Sequence, residues 1–233
     1  QRSIALETVG CAGPPPMNPS WIPADGRLVV VGTDTDVGKT VVSALLVQGL
    51  GASYWKPIQC GELGMGGDSG RVAGLIGLTR RLTPPCIVPE AYQLAAPASP
   101  NQAAQDEGIE VDPERLNLPG ISGPLVVETA GGLLVPLRDD LMQIEQIKRW
   151  GLPVVLVARS GLGTLNHTLL SLEALKARSI RVLGLVLNGA PHQANRTTLE
   201  TITKLPVLAE LTPLEELSAD SLQAVWQSSP LGS

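Results

Sequence analysis

The chain has 233 residues, 43% hydrophobic and 17% charged, enough for a full globular core and more in keeping with one α/β domain than two. Seventeen Lys and Arg against 22 Asp and Glu give a net charge of −5 with no basic run, which disfavours nucleic acid and points to small-molecule partners. No stretch nears the ~18 uninterrupted apolar residues of a membrane span, the first residues lack signal-peptide order, and Cys11, Cys60 and Cys86 fit reduced thiols better than a disulfide framework, so a soluble cytoplasmic protein is expected.

Residues 1–26 hold Gly13-Pro14-Pro15-Pro16, Pro19 and Pro23 without periodicity and read as a flexible lead; a single domain is expected over 27–233. The apolar run Leu28-Val29-Val30-Val31 predicts a buried strand over 28–32, and the stretch from Val41 predicts a helix over 39–49. Between them stands Gly32-Thr33-Asp34-Thr35-Asp36-Val37-Gly38-Lys39-Thr40. A strand, a Gly-rich turn and a helix start make a phosphate cradle: backbone N–H groups face the phosphates, Lys39 neutralises their charge, and the Thr40 hydroxyl can hold Mg2+. Five residues separate Gly32 from Gly38, one more than in the usual loop of this kind.

A second strand over 53–57 ends on Lys56-Pro57, placing a lysine where phosphoryl charge could be met. The next helix, over 68–77, opens with Gly66-Gly67-Asp68, where Asp68 is either the helix N-cap or a group facing Mg2+. A helix over 99–107 follows, then a strand over 124–128 ending in Glu128-Thr129-Ala130-Gly131-Gly132: a carboxylate at the end of an apolar strand, then small residues that let phosphate near the backbone. Prolines 113, 119 and 124 leave little room for a long helix between Gly108 and that strand. After a helix over 140–150 and a strand over 153–158, Ser160-Gly161-Leu162-Gly163-Thr164-Leu165-Asn166-His167 opens a helix over 164–178, whose start is either an anion pocket or a plain capped end. The strand over 182–187 leads to Asn188, an amide that could read a purine edge, and a helix over 193–203 and a short strand over 206–209 complete the pattern. His167 and His192 are too few and too far apart for a metal site.

The strands at 125–127, 153–157 and 182–187 show no alternation, so both faces of the sheet should be covered by helices. The expectation is a P-loop NTPase-like, doubly wound, mainly parallel sheet with function at the carboxyl ends of its strands.

In this order the segments resemble the dethiobiotin synthetase family. The resemblance runs from residue 28 to about 215 and rests on the loop 32–40, Lys56-Pro57-Ile58-Gln59-Cys60-Gly61, Pro97-Ala98-Ser99-Pro100, Glu128 with Ala130-Gly131-Gly132, Leu162-Gly163-Thr164-Leu165-Asn166-His167 and Leu187-Asn188. It implies an ATP- and Mg2+-dependent ligase that carboxylates 7,8-diaminononanoate with CO2 or bicarbonate and closes the ring to dethiobiotin through a phosphorylated carbamate. By the same resemblance, Asp36, Val37, Gly38, Lys39, Thr40 and Val41 with Thr129, Ala130 and Gly131 would hold the phosphates. Thr40, Asp68 and Glu128 would surround Mg2+. Thr35, Lys56 and Cys60 would border the carbamate, with Lys39, Lys56 and Thr35 closest to the chemistry. Asn188 would read adenine, with Leu211, Thr212 and Pro213 covering the base, and residues 162, 163, 164, 165 and 166 would receive the substrate carboxylate of the neighbouring subunit, so a homodimer is implied.

The chain departs from the family pattern at Thr129, where Gly is usual and a side chain is added beside the phosphate turn; at Cys60, where a hydroxyl is more common; and at Asn101, where His is frequent. The alternative is a dimeric switch ATPase or nucleotide-binding scaffold of the partitioning type, but Thr33 and Asp34 stand where such proteins carry an extra lysine.

Overall fold

The computed structural model describes residues 19–78, 84–213 and 216–232; Cys11 and the proline run of the expected lead lie outside them. In chain order the elements are β1 (Arg27–Gly32), α1 (Lys39–Leu50), β2 (Ser53–Trp55), β3 (Ile58–Cys60), α2 (Gly67–Ile76), β4 (Ile87–Val88), β5 (Tyr92–Leu94), α3 (Pro100–Asp106) and β6 (Leu125–Gly132). They continue with β7 (Pro136–Arg138), β8 (Leu141–Met142), α4 (Gln143–Trp150), β9 (Val154–Arg159), α5 (Thr164–Ala177), β10 (Val182–Asn188), α6 (Gln193–Thr203), β11 (Val207–Leu211) and α7 (Ala219–Ser228).

Seven strands form one parallel sheet in the order β11-β10-β9-β1-β6-β2-β4. The chain leaves the central β1 toward β2 and β4, returns to β6, then crosses to β9, β10 and β11 on the other side. The direction of winding therefore reverses around β1, and a crevice opens at the carboxyl ends there.

The strands carry apolar side chains on both faces because both are buried. Val30, Tyr54, Val126 and Val155 point into a core shared with α1, α2 and α7. Val29, Val31, Trp55, Val127 and Leu156 point into a second core under α4, α5 and α6. A smaller cluster joins Ile58, Tyr92 and Leu94 to α3. Helix α7 lies over α1: Trp226 is buried in that core, and a Cβ at Gly49 would come within 2.3 Å of its ring.

Several expected boundaries shift for local reasons. The strand expected over 53–57 stops at Trp55; Pro57 lacks an N–H, and the chain restarts as β3 in a two-stranded sheet with β5. The segment after Gly108 forms only a 3-10 turn, Pro113–Leu116, as its prolines imply. The helix expected over 140–150 begins at Gln143, because residues 141–142 pair with β7. Residues 19–26, placed in a loose lead, pack on the domain: Ile22 joins the α1-side core and the Trp21 indole donates to the Leu231 carbonyl at 3.0 Å. Among the described residues no helix is long and apolar enough to cross a membrane.

Candidate active site

The loop after β1 turns into α1 through Asp36 (φ 55°) and Gly38 (φ 98°). Only a residue without a Cβ fits at Gly38, since a Cβ there would stand 2.2 Å from Asn188 Nδ2. Asn188, at the end of β10, donates to the Val37 carbonyl at 3.0 Å and so braces the loop from its far side. Lys39 is nearly buried and its ammonium donates to the Asp34 carbonyl at 2.9 Å, folded back over its own loop. Burial pulls the Lys39 pKa below the ordinary lysine value, with Glu128 working against the shift.

Beside the loop, four side chains converge, three from α1, α2 and β6 and one from the turn after β2. The Thr40 hydroxyl, in the first turn of α1, lies 2.8 Å from Asp68 Oδ1 and 3.0 Å from Glu128 Oε1. Lys56, just past β2, pairs with Asp68 and lies 3.2 Å from Glu128 Oε1. Helix α2 begins at Gly67 with Gly66 as its cap residue, so Asp68 is not the N-cap; its carboxylate turns to Thr40 and Lys56 instead.

The charges hold each other. Burial alone would lower the Lys56 pKa, but the Glu128 and Asp68 carboxylates outweigh it and hold the ammonium above the ordinary lysine value. Burial likewise works against the Asp68 carboxylate, and the Lys56 ammonium overrides it, keeping Asp68 below its ordinary value.

Supporting these groups are residues to which the motif reading gave no role. The Tyr54 hydroxyl donates to Glu128 Oε2 at 2.9 Å. Gln59 accepts from the Asp68 N–H at 3.1 Å and donates to the Gly61 carbonyl at 3.1 Å, tying the start of α2 to the loop after β3. Gln143 accepts from the Ala130 N–H at 3.0 Å and donates to the Gly132 carbonyl at 2.7 Å, clamping the turn at the end of β6. The strand period was the available signal for Tyr54: residues two apart on β2 face the same way, so Tyr54 and Lys56 share a face.

A cavity of about 700 Å³ opens over this group. Thr35, Asp36, Gly38, Lys39, Thr40, Val41, Lys56, Cys60, Asp68, Glu128, Ala130 and Gly131 line it, together with Pro97, Ala98, Ser99 and the Glu62–Arg71 ion pair (2.9 Å). Burial pushes the Cys60 thiol up to about 11, so it is neutral at physiological pH.

Other expected residues stand apart. Thr129 does not add a side chain beside the phosphate turn: alternation on β6 sends it to the face opposite Glu128, where it is buried and donates to the Val30 carbonyl at 3.2 Å. Leu211 has its side chain in the core, and Thr212 and Pro213 are exposed; none of the three lines the cavity. Residues 162–166 do not line it either; Leu162 is wholly exposed, Gly163 (φ 90°) precedes α5, and Thr164 is buried against Thr168. A shallower groove of about 540 Å³ runs beside the cavity from Thr33, Asp34 and Thr35 to Leu134, His167 and Leu170.

The sequence matches the AAA domain family over residues 26–221. It is 48% identical over 203 residues, 87% of this chain and 95% of the relative, to the ATP-dependent dethiobiotin synthetase BioD of Rhodopseudomonas palustris (strain BisB18). It is 46% identical to the BioD of Brucella ovis over 85% of this chain and 91% of that one. It is 50% identical, over 84% of its own length and 41% of the relative's, to the biotin biosynthesis bifunctional protein BioCD of Bordetella avium (strain 197N). Among solved structures, a ParA family ATPase from Chlorobium tepidum superposes with a TM-score of 0.52 at 14% identity, covering 90% of this chain and 92% of that one, a likeness of fold alone.

Proposed function

The chain belongs to the ATP-dependent dethiobiotin synthetase family, and from that premise we propose that its cleft joins CO2 to the two amines of 7,8-diaminononanoate, with ATP as phosphoryl donor, to give dethiobiotin, ADP and phosphate. The observation that carries the reading is the convergence of Lys39, Thr40, Lys56, Asp68 and Glu128 on one cavity.

The chemistry sets what those residues must do. An amine nitrogen attacks CO2 and loses a proton, giving a carbamate; this is a poor electrophile, because oxide would have to leave. A carbamate oxygen therefore takes the γ-phosphoryl group of ATP and ADP departs. The second amine then attacks the carbamoyl carbon, loses its proton and expels phosphate, which closes the ring.

Lys39 would exchange the Asp34 carbonyl for a phosphate oxygen, and the N–H groups of residues 36–41 would take the others. Lys56, which shares the Asp68 and Glu128 carboxylates with Thr40, would meet charge as it moves onto the transferring group, a contact typically worth about 3 kcal/mol in a transition state. Thr35 and the neutral Cys60 thiol would flank the carbamate. Asn188, already seated against the loop, would meet the adenine, with the backbone near Leu211, Thr212 and Pro213 over the base.

The donor set fits a hard divalent cation: one hydroxyl and two carboxylates converge, and the Lys56 ammonium already bridges those carboxylates as a cation. Among the described residues no three His, Cys, Asp or Glu side chains form a cage, so phosphate oxygens and water would complete the shell. Thr40, Asp68 and Glu128 would hold Mg2+, which when bound supplies charge neutralisation to the triphosphate.

The substrate carboxylate would be received at residues 162–166 of a second copy, making the active unit a homodimer working in the cytoplasm. Supporting this are the exposed Leu162, Leu134 and Leu170, the last two on the groove beside the phosphate loop. A partitioning-type switch is not favoured, as Thr33 and Asp34 offer no lysine.

The deciding experiment measures ADP release with Mg-ATP and bicarbonate, with and without 7,8-diaminononanoate, and weighs the organic product. Diamine-dependent ADP and a dethiobiotin mass are expected; diamine-independent hydrolysis would defeat the reading.

A further inference from the structure

Strand β2 turns Tyr54 and Lys56 to the same face, toward Glu128 on the neighbouring β6, and the two split its carboxylate between them. Oε1 meets Thr40 at 3.0 Å and Lys56 at 3.2 Å, while Oε2 meets the Tyr54 hydroxyl at 2.9 Å. Tyr54 and Glu128 are both buried, at 0% exposure. If Glu128 rotated to present both oxygens to the cavity, the Tyr54 hydroxyl would lose its acceptor in a dry core, and a stranded buried donor is costly.

We propose that Tyr54 is a positioning residue that holds Glu128 by one oxygen, so that the carboxylate can offer only the other to the cation and phosphate pocket. The inference rests on the reading that Glu128 faces Mg2+. It deepens that reading by assigning a cation preference: Mg2+ binds carboxylates through single oxygens in a tight octahedron, whereas Ca2+ readily takes both oxygens of one carboxylate. A carboxylate restricted to one oxygen favours the smaller ion.

The test is calorimetric titration of Mg2+ and of Ca2+ into the full chain saturated with a non-hydrolysable ATP analogue. Tyr54→Phe keeps the ring and removes the hydroxyl. It is expected to weaken Mg2+ about tenfold, as loss of a partner behind a metal ligand commonly does, while Ca2+ changes less than about threefold. A merely structural role would lower the melting temperature without changing the ratio of the two affinities. Unchanged affinities, or a parallel fall in both, would overturn the proposal.

Glu128→Gln separates the two layers of argument. If it weakens Mg2+ and Tyr54→Phe does not, the positioning role alone falls; if Glu128→Gln leaves Mg2+ untouched, Glu128 does not face the ion and both readings fall. Should Tyr54→Phe fail to fold, tyrosine labelled with carbon-13 at Cζ gives a direct reading, because the chain has only two tyrosines, Tyr54 and Tyr92. In the protein loaded with Mg2+ and nucleotide, Glu128→Gln must displace the Tyr54 signal. A Tyr54 signal that ignores the substitution would mean the phenol has released Glu128, which overturns the proposal.

Discussion

Lys56 Nζ lies 3.2 Å from Glu128 Oε1 because β2 and β6 run parallel with Trp55 level with Val127, so the residue after each emerges at the same height above the sheet. The pair stands at the carboxyl edge, beside the helix start that carries Thr40, and Asp68 closes it from α2. Each strand contributes one charged group where its apolar run ends.

Lys56→Ala is expected to lower turnover by about two orders of magnitude while ATP affinity changes less than about fivefold, since Lys56 would meet charge that develops during transfer. Single-turnover kinetics with separately measured ATP binding checks this; an unchanged rate removes Lys56 from the chemistry.

Lys39→Ala should abolish nucleotide turnover and weaken ATP binding together, because its ammonium would neutralise phosphate in ground and transition states alike. Equilibrium binding and ADP release report both, and full activity in the variant would refute the phosphate role.

At Gly38 the added Cβ of Gly38→Ala would collide with Asn188 Nδ2 at 2.2 Å, and the left-handed φ of 98° strains any side chain. The loop must move away from Asn188. The variant should lose at least about tenfold in ATP affinity and keep its far-ultraviolet circular dichroism; wild-type affinity would show that the brace does not matter.

Cys60, with its thiol pushed up to about 11, should react slowly with iodoacetamide at pH 7.5, its rate rising about tenfold per pH unit as the thiolate fraction grows. Peptide mass spectrometry follows the labelling, and a rate that levels off by pH 9 would contradict the shift. Bound substrate should protect it, as Cys60 lines the cavity.

Six of the seven strands of the main sheet, all but β4, were legible because they are apolar runs, and the Lys and Glu at the ends of two of those runs line the cavity. The short pieces were not: β4 and β8 have two residues and β3, β5 and β7 three, too few to display a period. Helix α7 carried a readable signal that the chain-order reading left out, Ser218 capping with Leu222, Val225 and Trp226 on one face. Tyr54 looked like any strand aromatic, since its hydroxyl gains a role only from Glu128, 74 residues away in sequence. Thr129 shows the converse: its place in a phosphate-type motif suggested a side chain in the site, and alternation on β6 turns it to the other face.

Helix α7 and the residues after it cover the outer surface of α1, with Trp226 against Gly49, Gln48 donating to the Ala219 carbonyl at 2.9 Å and Trp21 donating to Leu231. The helix that presents Lys39 and Thr40 is thus roofed by a segment that follows every charged group of the cleft in the chain. A segment that ended before α7 would carry Lys39, Thr40, Lys56, Asp68 and Glu128 and still leave the outer face of α1 bare.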